Sequence, residues 1–222
     1  GIYSVGSKLG NCSQLIYTAF AGGWQYFAFS TMKEDNQVKN NSLIFEYLGI
    51  ISFVATSFVC ALSYSLFKIL FTPQYLEGYI VAPYLFFAPL LQMLFQVACN
   101  QLLIVKKTWP NLFILSIGAI VNVILNYYLI PVLGIEGASL ATLFGYIVSD
   151  VVCVIVLWKM RLINLDTRFM VSVVLMIIYF VTWRLLFNMN IIVGLLIAII
   201  LTLCFGMFYL SDVKMLIKSR KN

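Results

Sequence analysis

Apolar runs of about bilayer length follow one another along the chain, separated by short polar breaks. A hydrocarbon core about 30 Å thick is crossed by roughly 20 helical residues. Runs over residues 2–29, 43–67, 79–105, 112–130, 137–158, 169–187 and 191–210 reach that length. The pattern predicts an all-α polytopic membrane protein with about seven transmembrane helices. The first run is the least apolar, because Lys8, Asn11 and Gln14 interrupt it. The stretch from Asn122 to Thr142 reads as a helix stopping at Pro131, a tight turn around Gly134 and a new helix from Gly137. So short a turn makes its two helices antiparallel neighbours.

Composition agrees with this reading. The chain of 222 residues is 63% hydrophobic and only 10% charged, outside the range of soluble domains. Its five cysteines stand singly in apolar stretches and it has no histidine. A zinc site or a Cys–His nucleophile is therefore not expected, nor is any other metal or cofactor. No charged-then-apolar leader precedes the first run, and the chain starts at Gly1 rather than Met. It reads as a fragment lacking its N-terminal part.

The net charge of +6 is explained by where the cations fall. With the C-terminus cytoplasmic, one side carries Lys33, Lys39, Lys106, Lys107, Lys159, Arg161, Arg168, Lys214, Lys218, Arg220 and Lys221. The other side, or the outer ends of the spans, keeps only Lys8, Lys68 and Arg184. This asymmetry favours a cytoplasmic C-terminus, and a partner nucleic acid is not needed to explain the charge. Trp24, Tyr26, Trp109, Trp158 and Trp183 fall near span boundaries, as interfacial aromatics do.

Polar residues inside the spans recur at helical spacing. Ser7, Asn11, Gln14 and Thr18 share one face of the first span, with Lys8 beside them. Lys8 either snorkels to the interface or faces a central cavity where it attracts an anion. Gln92, Gln96 and Asn100 form a stripe on the third span, downstream of Pro83 and Pro89. Such a stripe serves interhelical hydrogen bonding or lines a cavity. Asn122 and Asn126 share a face of the fourth span. In the fifth, Gly137, Ala141, Gly145 and Ser149 make a small-residue stripe suited to close packing. Beside it, Ser139, Thr142, Tyr146 and Asp150 form a polar edge. Asp150 is a partner for a nearby cation or a proton or ion site. Arg184 and Glu46, near span ends, are expected to reach the interface.

The opening Gly1-Ile-Tyr-Ser-Val-Gly-Ser-Lys-Leu resembles the start of a C-lobe helix in bacterial polysaccharide flippases. These belong to the multidrug/oligosaccharidyl-lipid/polysaccharide exporter superfamily. Phe71-Thr-Pro-Gln-Tyr resembles a short outer loop of that family. Residues 122–142 resemble a helical hairpin of that family, and Lys106-Lys107-Thr108 resembles the turn that precedes it. Gly6 stands where alanine is common, and Gly22-Gly23-Trp24 where many relatives carry a proline. The resemblance runs to about Arg161.

By that comparison residues 1–160 resemble the C-terminal lobe of a two-lobed transporter of up to 14 helices, with the N-terminal lobe missing. Residues 161–222 supply two terminal helices and a basic tail. The resemblance implies a non-enzymatic transporter in the bacterial inner membrane that flips undecaprenyl-pyrophosphate-linked oligosaccharide by alternating access. Its product would feed O-antigen, capsule or exopolysaccharide synthesis. The lipid-linked oligosaccharide and the bilayer are the implied partners, alongside a polysaccharide polymerase and a chain-length regulator. Lys8 is the implied cation for the pyrophosphate, with Asn11, Gln14, Gln92, Gln96 and Asn126 lining the cavity. A cation-coupled multidrug exporter of the same superfamily is the nearest rival. A membrane-embedded glycan polymerase or acyltransferase is the more distant one.

Overall fold

The computed structural model of the chain describes residues 1–31, 33 and 36–219, with side chains through Asp212. Arg220 and Lys221 lie outside the described residues, as do the side chains of Lys214 and Lys218. The described residues form seven α-helices and no strand: α1 (Ile2–Ser30), α2 (Gln37–Leu70), α3 (Gly78–Ile104), α4 (Trp109–Leu133), α5 (Ile135–Lys159), α6 (Thr167–Thr182) and α7 (Ile191–Ser219). A 3-10 turn at Pro73–Tyr75 leads into α3, and α6 closes in a π-helical turn at Trp183–Phe187.

Six of the seven helices are long and apolar enough to cross a membrane. The exception is α1, which is also the least apolar of the seven runs in the sequence. Its outward face carries Lys8, Asn11, Gln14 and Thr18, all exposed, and these lower its hydropathy. Its direction still fits the alternation. Gly6 lies against Gly78 and Gly10 against Leu85, so α1 runs parallel to α3 with their backbones in close approach. A Cβ on Gly10 would meet the Leu85 carbonyl oxygen at 2.8 Å.

The bundle is built around α3, which packs against α1, α2 and α5. Of its most apolar stretch 78% is buried, against 11% for α4. A helix covered on several sides needs apolar residues all round rather than a stripe. Pro83 and Pro89 both lie inside α3, which continues through them. α4 packs along α5 and leaves its other face outward, with Leu112, Phe113 and Ile120 exposed. α2 packs against α7, and Gly194 at the start of α7 meets Ala61 late in α2, so the two are antiparallel.

The α4–α5 hairpin is tighter than the sequence suggests. α4 runs past Pro131 to Leu133 and α5 begins at Ile135, leaving Gly134 as the joint. Pro131 removes only its own donor near the end of the helix, so it does not stop the chain there. Gly134 does, with φ +57° and ψ −128°, a conformation that suits glycine. The small-residue stripe of α5 packs on α4: Gly137 meets the Leu129 carbonyl, and Gly145 meets Gly118 and Asn122.

Ion pairs hold α6 at both ends. At its start Arg168 reaches Asp212 of α7 (2.8 Å) and Asp166 (3.0 Å), and lies 3.7 Å from Glu46 of α2. Glu46, only 1% exposed, accepts hydrogen bonds from the Asp166 N–H (2.7 Å) and the Tyr209 hydroxyl (3.1 Å). The Tyr47 hydroxyl donates to Asp212 (2.9 Å). Glu46 is thus buried in a network rather than turned to the interface. At the far end Arg184 grips the Glu136 carboxylate in two hydrogen bonds, through Nε and through Nη2 (2.8 Å). The Tyr84 hydroxyl donates to the same carboxylate at 3.3 Å. Arg184 is therefore paired rather than snorkelling, because the π-helical turn directs it toward the first turn of α5.

Candidate functional site

A cavity of about 610 Å³ lies among α1, α3, α4 and α5. Its polar lining is Tyr17 and Gln25 of α1, Gln92, Gln96 and Asn100 of α3, Asn122 of α4, and Thr142, Tyr146 and Ser149 of α5. None of the lining residues carries a formal charge. The cavity exists because helical spacing gathers these groups while glycine thins the walls. Gln92, Gln96 and Asn100 recur every fourth residue and so stack along one side of α3. Across from them Gly118 and Gly145 let α4 and α5 approach without filling the space.

Two of the lining groups are buried without a partner. Asn100 is 3% exposed, and its Nδ2 finds no acceptor. The Oε1 of Gln96 likewise finds no donor. Buried amides are normally satisfied; these two atoms are closed to solvent, while their residues line the cavity wall. Tyr17, Phe95 and Tyr146 add aromatic surface.

The sequence-derived candidates divide into two sets. Gln92 and Gln96 line the cavity. Asn126 does not; its Nδ2 donates to the Asn122 carbonyl and to Asn122 Oδ1, both at 2.9 Å, and it is Asn122 that lines the wall. Lys8, Asn11 and Gln14 point away from the cavity on the exposed face of α1, and Lys8 Nζ lies 5.7 Å from the centre of the Phe71 ring. Spacing correctly groups these residues on one face but cannot tell which way that face turns. The buried face is marked by Gly6, Gly10, Ser13 and Trp24, and Tyr17 follows the same spacing into the cavity. That alternation was the available signal for Tyr17.

Asp150 sits beside the cavity wall, directly after Ser149 and one turn beyond Tyr146. It is buried, and neither carboxylate oxygen has a hydrogen-bond partner. Of the two readings open in the sequence, pairing with a cation does not occur here among the described residues.

These features define a multi-pass α-helical membrane protein with an uncharged, partly open cavity among four of its helices, its largely apolar wall carrying amides and hydroxyls. No family model, curated protein or solved structure matches the chain.

Proposed function

We propose that the chain is part of a transporter that flips a lipid-linked oligosaccharide across the bacterial inner membrane. The carrying observation is the uncharged cavity, in which amides and hydroxyls from four helices are gathered on a largely apolar wall. A glycan presents dense hydroxyl donors and acceptors, which Gln92, Gln96, Asn100, Asn122 and Ser149 can match within a low-dielectric site. A volume of about 610 Å³ falls in the range of sites that hold small ligands or part of a larger one. The resemblance of residues 1–161 to the C-terminal lobe of polysaccharide flippases supports the same reading. In that reading the basic end of the bundle is cytoplasmic, and the outward face of α1, with Lys8, Asn11 and Gln14, meets a second lobe across a shared path. A polar face of this kind is costly against lipid and suits a wet interior.

A cation-coupled drug exporter is the second reading, favoured by the unpaired Asp150. The cavity's lack of a carboxylate weighs against cationic drugs as cargo. The test is transport in proteoliposomes containing the full-length protein and a fluorescent lipid-linked oligosaccharide, read by exposure of the glycan to a membrane-impermeant glycosidase. Gln92→Leu with Gln96→Leu is expected to slow flipping at least tenfold at equal protein. A rate in the parent protein no faster than in protein-free vesicles would overturn the proposal. Drug efflux in its place would favour the second reading.

A further inference from the structure

α3 and α5 end side by side at the basic end of the bundle, and they end in the same way. Their neighbouring cysteines, Cys99 and Cys153, lie about a turn and a half before the two ends. Each helix closes with the 6→1 hydrogen bond of a Schellman turn: the Lys107 N–H to the Leu102 carbonyl (2.8 Å), and the Leu162 N–H to the Leu157 carbonyl (2.9 Å). The residue in the left-handed position of each turn is normally glycine. Here it is Lys106 (φ +57°) and Arg161 (φ +58°), the two non-glycine residues at positive φ among the described residues. Both side chains are exposed, as are those of Lys107 and Lys159.

These four cations have no carboxylate within 4.0 Å among the described residues, while Glu46, Asp166 and Asp212 are gathered around Arg168. A bilayer asks for cations at one end of a bundle, and helix C-termini favour them. Neither asks that a cation occupy the position where glycine is less strained, in two adjacent turns. The place is also specific. Lys106 follows by three residues Leu103, which lines the cavity. Trp109, exposed beside it, marks the interfacial level, and the outward face of α4 below is apolar.

We propose that Lys106, Lys107, Lys159 and Arg161 form a docking site for the phosphate or diphosphate headgroup of a membrane lipid, whose tail lies along the exposed face of α4. Lysines supply point charge and Arg161 a bidentate fork for phosphate oxygens. A headgroup held there stands beside the cavity, so a glycan attached to it reaches Asn100 and Gln96. Assigning the headgroup to the transported lipid rests on the proposed function; headgroup binding itself is measurable without transport.

The probe is phosphatidic acid with brominated tails in phosphatidylcholine nanodiscs holding the full-length protein, read by quenching of tryptophan fluorescence. The decisive variant is Lys106→Gly with Arg161→Gly, which keeps both turns and removes two cations. It is expected to raise the half-quenching mole fraction roughly tenfold, with thermal stability held or raised. Lys8→Gln with Lys68→Gln removes the same charge at the opposite end of the bundle, well beyond a Debye length of the site, and is expected to shift it less than about twofold. Equal shifts in both pairs, or none in the first, would overturn the site. So would displacement of the lipid by an equal concentration of inorganic pyrophosphate, because the site would then be for a free anion. Intact lipid docking together with absent flipping would leave this site standing and remove the transport reading.

Discussion

Asn100→Leu separates binding from folding, because the two are expected to move in opposite directions. The Asn100 side chain is 3% exposed, and its Nδ2 has no acceptor. A buried unsatisfied donor costs about 1–3 kcal/mol. Leucine has a similar shape and removes that cost without opening a void. For a chain of roughly this size each kcal/mol moves Tm by about 2–4 °C. The variant is therefore expected to melt about 2–12 °C higher in detergent, followed by intrinsic fluorescence. In the flipping assay the same variant is expected to lose most activity, because the cavity wall has lost one of its amides. Gln101→Leu is the control. Gln101 is fully buried on the same helix, outside the cavity; its Oε1 accepts from Gln37 Nε2 at 3.1 Å, and its Nε2, like Asn100 Nδ2, has no acceptor. It is expected to leave flipping unchanged. A lower Tm for Asn100→Leu would refute the claim that Asn100 is unsatisfied, and undiminished flipping would remove it from the cargo path.

Two further expectations concern buried carboxylates. Glu46→Ala orphans the Asp166 N–H and the Tyr209 hydroxyl, at about 1–3 kcal/mol each. Tm is expected to fall by more than about 4 °C, and Tyr209→Phe added to it is expected to cost little more; additive losses would show that the two do not share a bond. Asp150→Asn keeps the shape of the side chain and is expected to retain expression and Tm while flipping loses its response to an imposed pH or sodium gradient. An unchanged gradient response would exclude Asp150 as the ion site.

The long apolar runs made the helices legible, since a bilayer-length run has few other uses. The α4–α5 hairpin was legible too, because glycine and proline mark its joint, although the joint is Gly134 alone rather than the stretch from Pro131 to Gly137. The polar stripes were legible as stripes. Their direction was not, because periodicity is a property of one helix and facing is a property of two. So Gln92 and Gln96 turn into the cavity while Asn11 and Gln14 turn out of it. The pairs Glu46–Arg168 and Glu136–Arg184 join residues far apart in the chain, and no local pattern announces them. The left-handed Lys106 and Arg161 were equally hidden, since glycine is the residue that signals such turns.

The ion pairs at the two ends of α6 bear on the order in which the chain is built. Arg168 and Arg184 flank an otherwise apolar helix, and a carboxylate partner of each, Glu46 and Glu136, comes earlier in the sequence. Synthesis from the N-terminus therefore has α2 and α5 available before α6 emerges. The helix would enter a bilayer already furnished with its counter-charges, which offsets the cost of two guanidinium groups. Asp212 arrives last, with α7, and closes the network around Arg168. In that order α6 and α7 come late, onto helices that already carry the charges to receive them.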